Sequence, residues 1–256
     1  MRGFVAVGVI VVLASLGGIP VRGADDPSNA VFLLQVVAED GGQYRSAVYG
    51  TAFFVSADGT ALTNSHVVYL AQREPARYRL LAIVNQEFFS ASIVCASRLH
   101  HDPTDPAVLH VPPGRDVAEI RLLPATFPFA QWRLALPGGA SLARVTAHRT
   151  GLPRFPFLRV AGRPVSGDQV HVISFGTPLS GVPRWTATGQ VLNVDQTTDG
   201  TEIFGIDFAG RAQPGNSGSP VLNPQQEVIG MWTWYSLTDA NIAMAIGNSA
   251  LRLPCV

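Results

Sequence analysis

Residues 215–220 read Gly-Asn-Ser-Gly-Ser-Pro, and Pro214 stands immediately before them. Glycine tolerates positive φ, so the two glycines around Ser217 let the backbone fold sharply enough for successive N–H groups to converge on one point. Converging N–H groups stabilise the negative charge that develops on a carbonyl oxygen under attack, by about 3 kcal/mol per donor. The stretch therefore predicts a serine nucleophile beside an anion-binding backbone, with a glycine-serine surface turn as the alternative.

A serine hydroxyl needs a base to take its proton, and His66 is the best candidate for that base. An apolar run at 50–55, an Asp-Gly hairpin signal at 56–60 and a second run at 61–68 surround it in sequence. We therefore expect a strand to deliver His66 to the edge of a barrel. Taken alone, a histidine after an apolar strand is more often structural, and the serine stretch is what favours a functional role.

A carboxylate is then needed to fix the imidazole tautomer and to stabilise its cation. Residues 101–109 supply two, Asp102 and Asp105. Asp105 runs directly into an apolar stretch that would bury it beside the histidine, whereas Asp102 resembles a loop residue that caps a turn. We predict Asp105, with Asp102 as the alternative.

Composition excludes several other classes of protein. The chain has 18 basic and 18 acidic residues, so no long-range field draws it to nucleic acid or to an anionic membrane. Every basic residue is Arg, and the absence of Lys excludes a phosphate-binding P-loop, a Schiff-base lysine and a Ser-Lys dyad. The four tryptophans do not alternate with a basic stripe, so nucleic-acid binding has no support.

The N-terminus has the pattern of an export signal. Arg2 gives a positive start, residues 4–16 are apolar, and Gly and Pro at 17–20 precede small residues. We predict a signal peptide over 1–23, with cleavage after Ala24 and a retained membrane anchor as alternatives. The mature protein is then exported, to the periplasm or the extracellular space, with no stable membrane span.

After the signal, short apolar or alternating runs are broken by Gly, Pro, Asp and Asn, which is typical of an all-β sandwich or barrel. Clear strand candidates are 30–37, 51–55, 169–175 and 227–234. A Pro-rich stretch at 123–128 predicts the connection between two halves. We expect one β-domain over 24–122 that carries His66 and Asp105, and a second over 123–256 that carries Ser217.

Cys95 and Cys255 are the only cysteines, and an exported protein can pair them in a disulfide or leave two thiols. His100, His101 and Asp102 are adjacent in sequence, but adjacent residues of an extended segment point opposite ways and cannot easily share one ion. We expect no metal and no organic cofactor.

Together, residues 63–68, 105–109 and 215–220 resemble the three motifs of trypsin-like peptidases, in that family's order of His, Asp and Ser. The likeness is nearest to two bacterial branches, the HtrA-type protease domain, here without a PDZ domain, and the glutamyl endopeptidases. It implies two six-stranded antiparallel β-barrels of the chymotrypsin type, with the active site in the cleft between them. It also implies a serine endopeptidase that acts through an acyl-enzyme, with His66 and Asp105 on the first barrel and Ser217 on the second.

The same resemblance implies an oxyanion hole formed by the amides of Gly215 and Ser217. It implies that residues 231–235 line the substrate cleft and pair with an extended peptide, so that the substrate-binding residues include Trp232, Thr233, Trp234 and Tyr235. Expected partners are protein or peptide substrates of a monomeric enzyme.

Two departures from the family pattern bear on these expectations. Pro106 stands where relatives have a branched aliphatic residue after the aspartate, and Trp232 stands where glutamyl endopeptidases have a histidine. A Trp232 side chain in the primary pocket would favour small or medium apolar residues at the cleavage position, whereas Arg211 would favour an acidic one. The two departures also motivate an alternative function, a catalytically inactive homologue that binds peptides or proteins.

Overall fold

A computed structural model describes residues 26–40, 43–85, 87–103, 114–124, 133–135, 141–143, 151–175, 184–208, 214–235 and 242–252. A short 3-10 helix at Pro27–Ala30 opens the described chain. The remaining elements are β1 Val31–Asp40, β2 Gln43–Phe54, β3 Thr60–Thr63, α1 Ser65–Arg73, β4 Tyr78–Val84, β5 Glu87–Ala96, β6 Ala118–Leu123, β7 Arg133–Ala135, β8 Ser141–Ala143, β9 Gln169–Phe175, β10 Arg184–Gln196, β11 Glu202–Phe208, β12 Pro220–Leu222, β13 Val228–Tyr235, β14 Ile242–Gly247 and α2 Asn248–Leu251.

The first six strands close into a barrel. They follow the order β1-β4-β5-β6-β3-β2, and pairing of β1 with β2 completes the circle. Every neighbouring pair in this circle is antiparallel. Outside the circle, β7 adds parallel to the edge of β2, and β8 pairs with β7.

A second closed barrel has the order β10-β11-β14-β13-β12-β9, again with antiparallel neighbours throughout. The predicted all-β fold of two six-stranded antiparallel barrels is therefore confirmed. Strands β7 and β8 belong to the first sheet, and the first strand of the second barrel along the chain is β9.

The position of β1 between two apolar clusters explains why its sequence is apolar without alternation. Successive side chains of a strand point to opposite faces. Phe32 and Leu34 point into the core of the first barrel, whereas Val31 and Leu33 join a second apolar cluster that also contains Met231 of the second barrel. Both faces of β1 are buried, and the cluster on its outer face packs the two barrels together.

The hairpin predicted at 56–60 is present, since the Val55 N–H donates to the Thr60 carbonyl at 3.0 Å and Gly59 has φ of +91°. Helix α1 was not predicted. Its nine residues follow β3 after the single residue Asn64, too short a stretch for a helical period to stand out from the apolar runs around it.

Cys95 lies in β5 and is disulfide-bonded. Of the two alternatives that the sequence left open for Cys95, a disulfide and a thiol, the structure has the disulfide. The one other cysteine of the chain, Cys255, lies outside the described residues. Within the described ranges, no helix is both long and apolar enough to cross a membrane.

Candidate active site

His66 lies in the first turn of α1, immediately after β3 has crossed the first barrel. Asn64 between the two elements is extended, with φ of −79° and ψ of 147°, and serves as the N-cap. The His66 side chain is 24% exposed, so one part of the ring is packed and another is open to solvent. The structure thus brings His66 to the rim of the first barrel, as the sequence predicts.

Asp116 makes two hydrogen bonds to this histidine. One carboxylate oxygen, Oδ1, accepts the His66 backbone N–H at 2.9 Å, and Oδ2 lies 2.5 Å from Nδ1 of the ring. The Asp116 side chain is fully buried, and an ionised carboxylate can only accept hydrogen bonds. The imidazole proton therefore lies on Nδ1, and the lone pair of Nε2 is available to accept a proton.

The carboxylate beside His66 is consequently Asp116 rather than the predicted Asp105. Asp105 itself lies outside the described residues. The alternative, Asp102, is on the surface, where it accepts from Arg73 at 2.7 Å and from the Tyr69 hydroxyl at 3.1 Å.

A signal for Asp116 was present in the sequence. Asp116 runs into the strand β6 just as Asp105 runs into an apolar stretch. Asp116 is followed by a branched aliphatic residue, Val117, as in the family pattern. Asp105 is followed by Pro106, which departs from that pattern. Giving weight to that departure would have favoured Asp116.

Buried polar groups of the first barrel hold the segment that carries Asp116. Asn64 Nδ2 donates to the Asp116 carbonyl at 2.7 Å and to Thr233 Oγ1 at 3.0 Å. Ser65 Oγ donates to the carbonyl of Val117 at 2.7 Å. Asn64 therefore connects the segment that carries Asp116 to β13 of the second barrel.

Ser217 lies in the loop that precedes β12, on the second barrel. Its carbonyl accepts the Thr51 N–H of the first barrel at 2.8 Å, and its hydroxyl donates to the Thr233 carbonyl at 3.3 Å. A Cβ on Gly50 would lie 3.0 Å from the Ser217 carbonyl oxygen and 2.8 Å from Val67, the residue after His66. The structure therefore brings Ser217 and His66 to the same junction between the barrels.

The glycines around Ser217 have the backbone conformation that the sequence predicts. Gly215 has φ of +98° and Gly218 has φ of +88°. A side chain at either position would collide with backbone, since a Cβ would lie 2.6 Å from the Phe175 carbonyl oxygen at Gly215 and 2.0 Å from that of Thr51 at Gly218. Only glycine fits both the conformation and the space.

The N–H groups of Gly215 and Ser217 take no part in the hydrogen bonds within the loop. Ser219 N–H donates to the Asn216 carbonyl at 3.0 Å. In a planar trans peptide the N–H points opposite to the carbonyl, so the Ser217 N–H points away from Ser219. Among the described residues, neither the Gly215 N–H nor the Ser217 N–H has an acceptor, which leaves both available to an oxyanion.

The predicted cleft residues occupy different surroundings. Trp232 is 1% exposed within the core of the second barrel, where it packs edge-on against Trp185 at 6.0 Å. Its side chain does not line the cleft, which corrects the prediction and removes the argument for a small or blocked pocket. Thr233 is 3% exposed and accepts from Asn64, so its side chain supports the site rather than facing substrate.

Trp234 is half-buried and Tyr235 is 51% exposed, so these two members of the stretch can contact a bound peptide. Arg211, the remaining predicted contact, lies outside the described residues. In the part of the chain that the structure describes, no group of three or more His, Cys, Asp or Glu residues is arranged to hold a metal ion.

Comparison with known proteins identifies a family from the sequence and similar folds among solved structures. A family model described as the trypsin-like peptidase domain matches residues 50–231 of the 256 residues. The solved structures that resemble the chain include the Rv3671c protease from M. tuberculosis in its active form, with a TM-score of 0.56 and 15% identity over 89% of this chain and 80% of that chain. The inactive form of that protease gives a TM-score of 0.54 and 15% identity over 89% and 88% of the two chains. The curated proteins include no match.

Proposed function

Because this chain belongs to the trypsin-like peptidase family, we propose that it is a serine endopeptidase with His66, Asp116 and Ser217 as its catalytic triad. One observation carries the proposal. The buried Asp116 carboxylate lies 2.5 Å from Nδ1 of His66, at the junction between the barrels. At the same junction, the Thr51–Ser217 hydrogen bond fixes the nucleophile loop, which is the loop at 214–219 before β12.

The first half of the reaction is acylation. Nε2 of His66 takes the Ser217 hydroxyl proton as the oxygen attacks the scissile carbonyl, and Asp116 stabilises the imidazolium that forms. The N–H groups of Gly215 and Ser217 donate hydrogen bonds to the carbonyl oxygen and stabilise the negative charge that develops on it. His66 then gives its proton to the leaving amine, and the acyl group remains on Ser217.

The second half is hydrolysis of the acyl-enzyme. Nε2 of His66 takes a proton from water as the water oxygen attacks the acyl carbon. Collapse of the tetrahedral intermediate releases a carboxylic acid and returns the proton to Ser217. Activity falls at acid pH, because a protonated His66 cannot act as a base.

Binding of an extended peptide to β13 would explain how substrate reaches Ser217. Strand β12 pairs with β13 only as far as Met231, whereas β14 pairs with β13 as far as Tyr235. The backbone of Trp232 still bonds to the loop before β12, since its N–H donates to the Ser219 carbonyl and its carbonyl accepts the Gly218 N–H, both at 2.9 Å. The edge of β13 beyond Trp232 therefore has no strand partner on the β12 side within the described ranges. A substrate strand added there runs past the half-buried Trp234 and the exposed Tyr235.

We also propose that the protein is exported. The apolar segment at 4–16 and the disulfide-bonded Cys95 both support this, because disulfides persist in oxidising compartments. N-terminal sequencing of the protein recovered outside the cytoplasm tests it. A start at Ala24 is expected, and recovery of the chain from the cytoplasm with Met1 intact would contradict export.

Cleavage of a peptide library by the purified mature protein tests the peptidase activity. Internal peptide bonds are expected to be cleaved by the wild type, and S217A is expected to lose all measurable cleavage while keeping the melting temperature of the wild type. Equal cleavage by the wild type and S217A would refute Ser217 as nucleophile. Absence of cleavage by the folded wild type would favour the inactive peptide-binding homologue instead.

A further inference from the structure

Thr51 lies in β2 of the first barrel, yet it contacts the nucleophile loop of the second barrel at two places. We propose that Thr51 is a positioning residue whose hydroxyl holds the oxyanion hole in its active shape. The inference rests on the proposed function, because an oxyanion hole matters only if Ser217 attacks a carbonyl. Thr51 does not touch the reacting atoms and acts through Gly215.

Two carbonyls of the loop bond to Thr51. Its hydroxyl donates to the carbonyl of Gly215 at 2.8 Å, and its backbone N–H donates to the carbonyl of Ser217 at 2.8 Å. The loop is thus held on both sides of Asn216 by a single residue of the other barrel. The backbone bond survives any substitution except proline, so the hydroxyl is the part of Thr51 that depends on side-chain identity.

The Thr51 hydroxyl is itself fixed in direction. Oγ1 accepts the Phe175 N–H at 3.0 Å through a lone pair, and its single proton is donated to the Gly215 carbonyl at 2.8 Å. The backbone of Thr51 is also held within the first barrel, because Thr63 Oγ1 donates to the Thr51 carbonyl at 2.8 Å. The Thr51 side chain is fully buried, so water cannot replace the hydroxyl without an opening of the barrel interface.

The bond to Gly215 bears on the oxyanion hole through backbone geometry. Gly215 has φ of +98°, in a region where glycine moves more freely than any other residue. Anchoring its carbonyl limits rotation about φ and ψ of Gly215 together. The Gly215 N–H belongs to the preceding peptide, between Pro214 and Gly215, so without that anchor a change in φ turns this N–H away from the position of the oxyanion.

Two further hydrogen bonds to the loop come from the second barrel. Ser174 Oγ donates to Asn216 Oδ1 at 3.1 Å, and the Ser219 hydroxyl donates to the Asn216 carbonyl at 2.6 Å. These bonds shape the loop within its own barrel. Thr51 comes from the first barrel, so its hydrogen bonds make the geometry of the loop depend on how the first barrel packs against the second.

T51V tests the proposal, because valine keeps the branched shape and the backbone N–H but removes the hydroxyl. T51S keeps the hydroxyl, and T60V is the matched control, since Thr60 donates its hydroxyl to Asp58 at 2.8 Å elsewhere in the same barrel. Each variant is assayed for kcat and KM on one peptide that the wild type cleaves, and for the affinity of a peptide boronic acid, whose Ser217 adduct places an oxygen in the oxyanion hole.

We expect T51V to lower kcat about 10- to 100-fold with KM within about twofold of wild type, a smaller loss than deletion of an oxyanion donor itself. Boronic acid affinity should fall by a similar factor, while T51S and T60V stay within about threefold of wild type. A folded T51V with wild-type kcat and boronate affinity would overturn the proposal, and so would a loss confined to KM.

Failure of folding and failure of the proposed function give different results. If T51V does not fold, T51A removes the same hydroxyl with less bulk, and the same loss of kcat is expected of it. A wild-type protein without Ser217-dependent cleavage would overturn both the peptidase assignment and the role of Thr51. An active wild type with an equally active T51V would overturn the role of Thr51 alone.

Discussion

Asp116 accepts hydrogen bonds from both the backbone and the ring of His66, and this pair of contacts fixes the base more firmly than one bond would. Removing the charge while keeping the shape should therefore affect catalysis far more than folding. D116N is expected to lower kcat by about 10³- to 10⁴-fold, because an amide at this place favours the wrong imidazole tautomer.

Two other aspartates serve as controls for D116N. D105N changes the residue that the sequence predicted, and D102N removes the surface carboxylate that pairs with Arg73. D102N should keep kcat within about twofold of wild type, as expected for a surface group. D105N should do the same, because the proposal assigns the triad acid to Asp116. A D105N variant as impaired as D116N, or a fully active D116N, would show that Asp116 is not the triad acid.

Local motifs were enough to predict on which barrel Ser217 and His66 lie, while their catalytic roles stay predictions. Ser217 and its glycines lie in a single hexapeptide, and His66 lies in a short run after a hairpin. The acid was harder, because Asp105 and Asp116 both precede an apolar stretch and only the folded chain shows which one reaches His66. Trp232 was misassigned because the direction of a strand residue depends on register, which sequence does not give.

The nucleophile loop couples backbone conformation to close packing, and Gly218 is where the two coincide. A Cβ there would lie 2.0 Å from the Thr51 carbonyl oxygen and 2.6 Å from Thr63 Oγ1. Gly167 has nearly the same φ, +91° against +88°, but nothing lies within 4 Å of its Cβ position. The two glycines therefore separate the cost of conformation from the cost of collision.

G167A should lower the free energy of unfolding by about 1 kcal/mol through its positive φ alone. G218A should lower it by about 3 kcal/mol or more, because the collision with backbone adds to the same conformational cost. Urea unfolding of both variants measures the difference. Equal losses would mean that the loop yields to the added methyl group and is not closely packed against β2.

Three of the four strand candidates match their strands closely, whereas the candidate at 51–55 covers only the end of β2, Gln43–Phe54. β9 begins and ends at the predicted residues, and β1 and β13 differ from their predicted bounds by at most three residues. Helix α1 was missed because nine residues are too few for a helical period to stand out. One contact that holds its first turn, from the His66 N–H to Asp116, also joins distant parts of the chain.

The two barrels are joined by polar contacts as well as by their shared apolar cluster. Asp199, in the turn between β10 and β11, accepts the Arg115 backbone N–H at 3.2 Å, next to Asp116. Arg115 in turn donates from its guanidinium to the Ala250 carbonyl at 3.0 Å. Burial raises the pKa of Asp199, but hydrogen bonds from Thr197 and Thr201 outweigh it and hold the pKa below its ordinary value of 3.8.

This lowered pKa makes a stability contribution that depends on pH. A carboxyl whose pKa is lower in the folded state stabilises the protein above its unfolded pKa, and the stabilisation is lost as pH falls toward the folded pKa. D199N should therefore be less stable than wild type by about 1–2 kcal/mol near neutral pH, and the gap should narrow below about pH 4.

Urea unfolding of wild type and D199N between about pH 7 and about pH 2.5 measures this gap. D195N, at an exposed position near the end of strand β10, is the control and should show a small gap at every pH. A gap between wild type and D199N that stays constant through the acid range would show that Asp199 is not linked to folding in this way.

Ser217 as an activated nucleophile is tested most directly by reaction of the purified protein with a fluorophosphonate, followed by mass spectrometry of the labelled peptide. A single adduct on Ser217 is expected, absent from S217A, strongly slowed in H66A and unchanged in S249A, whose serine is exposed. A folded wild type that forms no adduct, or forms it on another residue, would contradict the assignment.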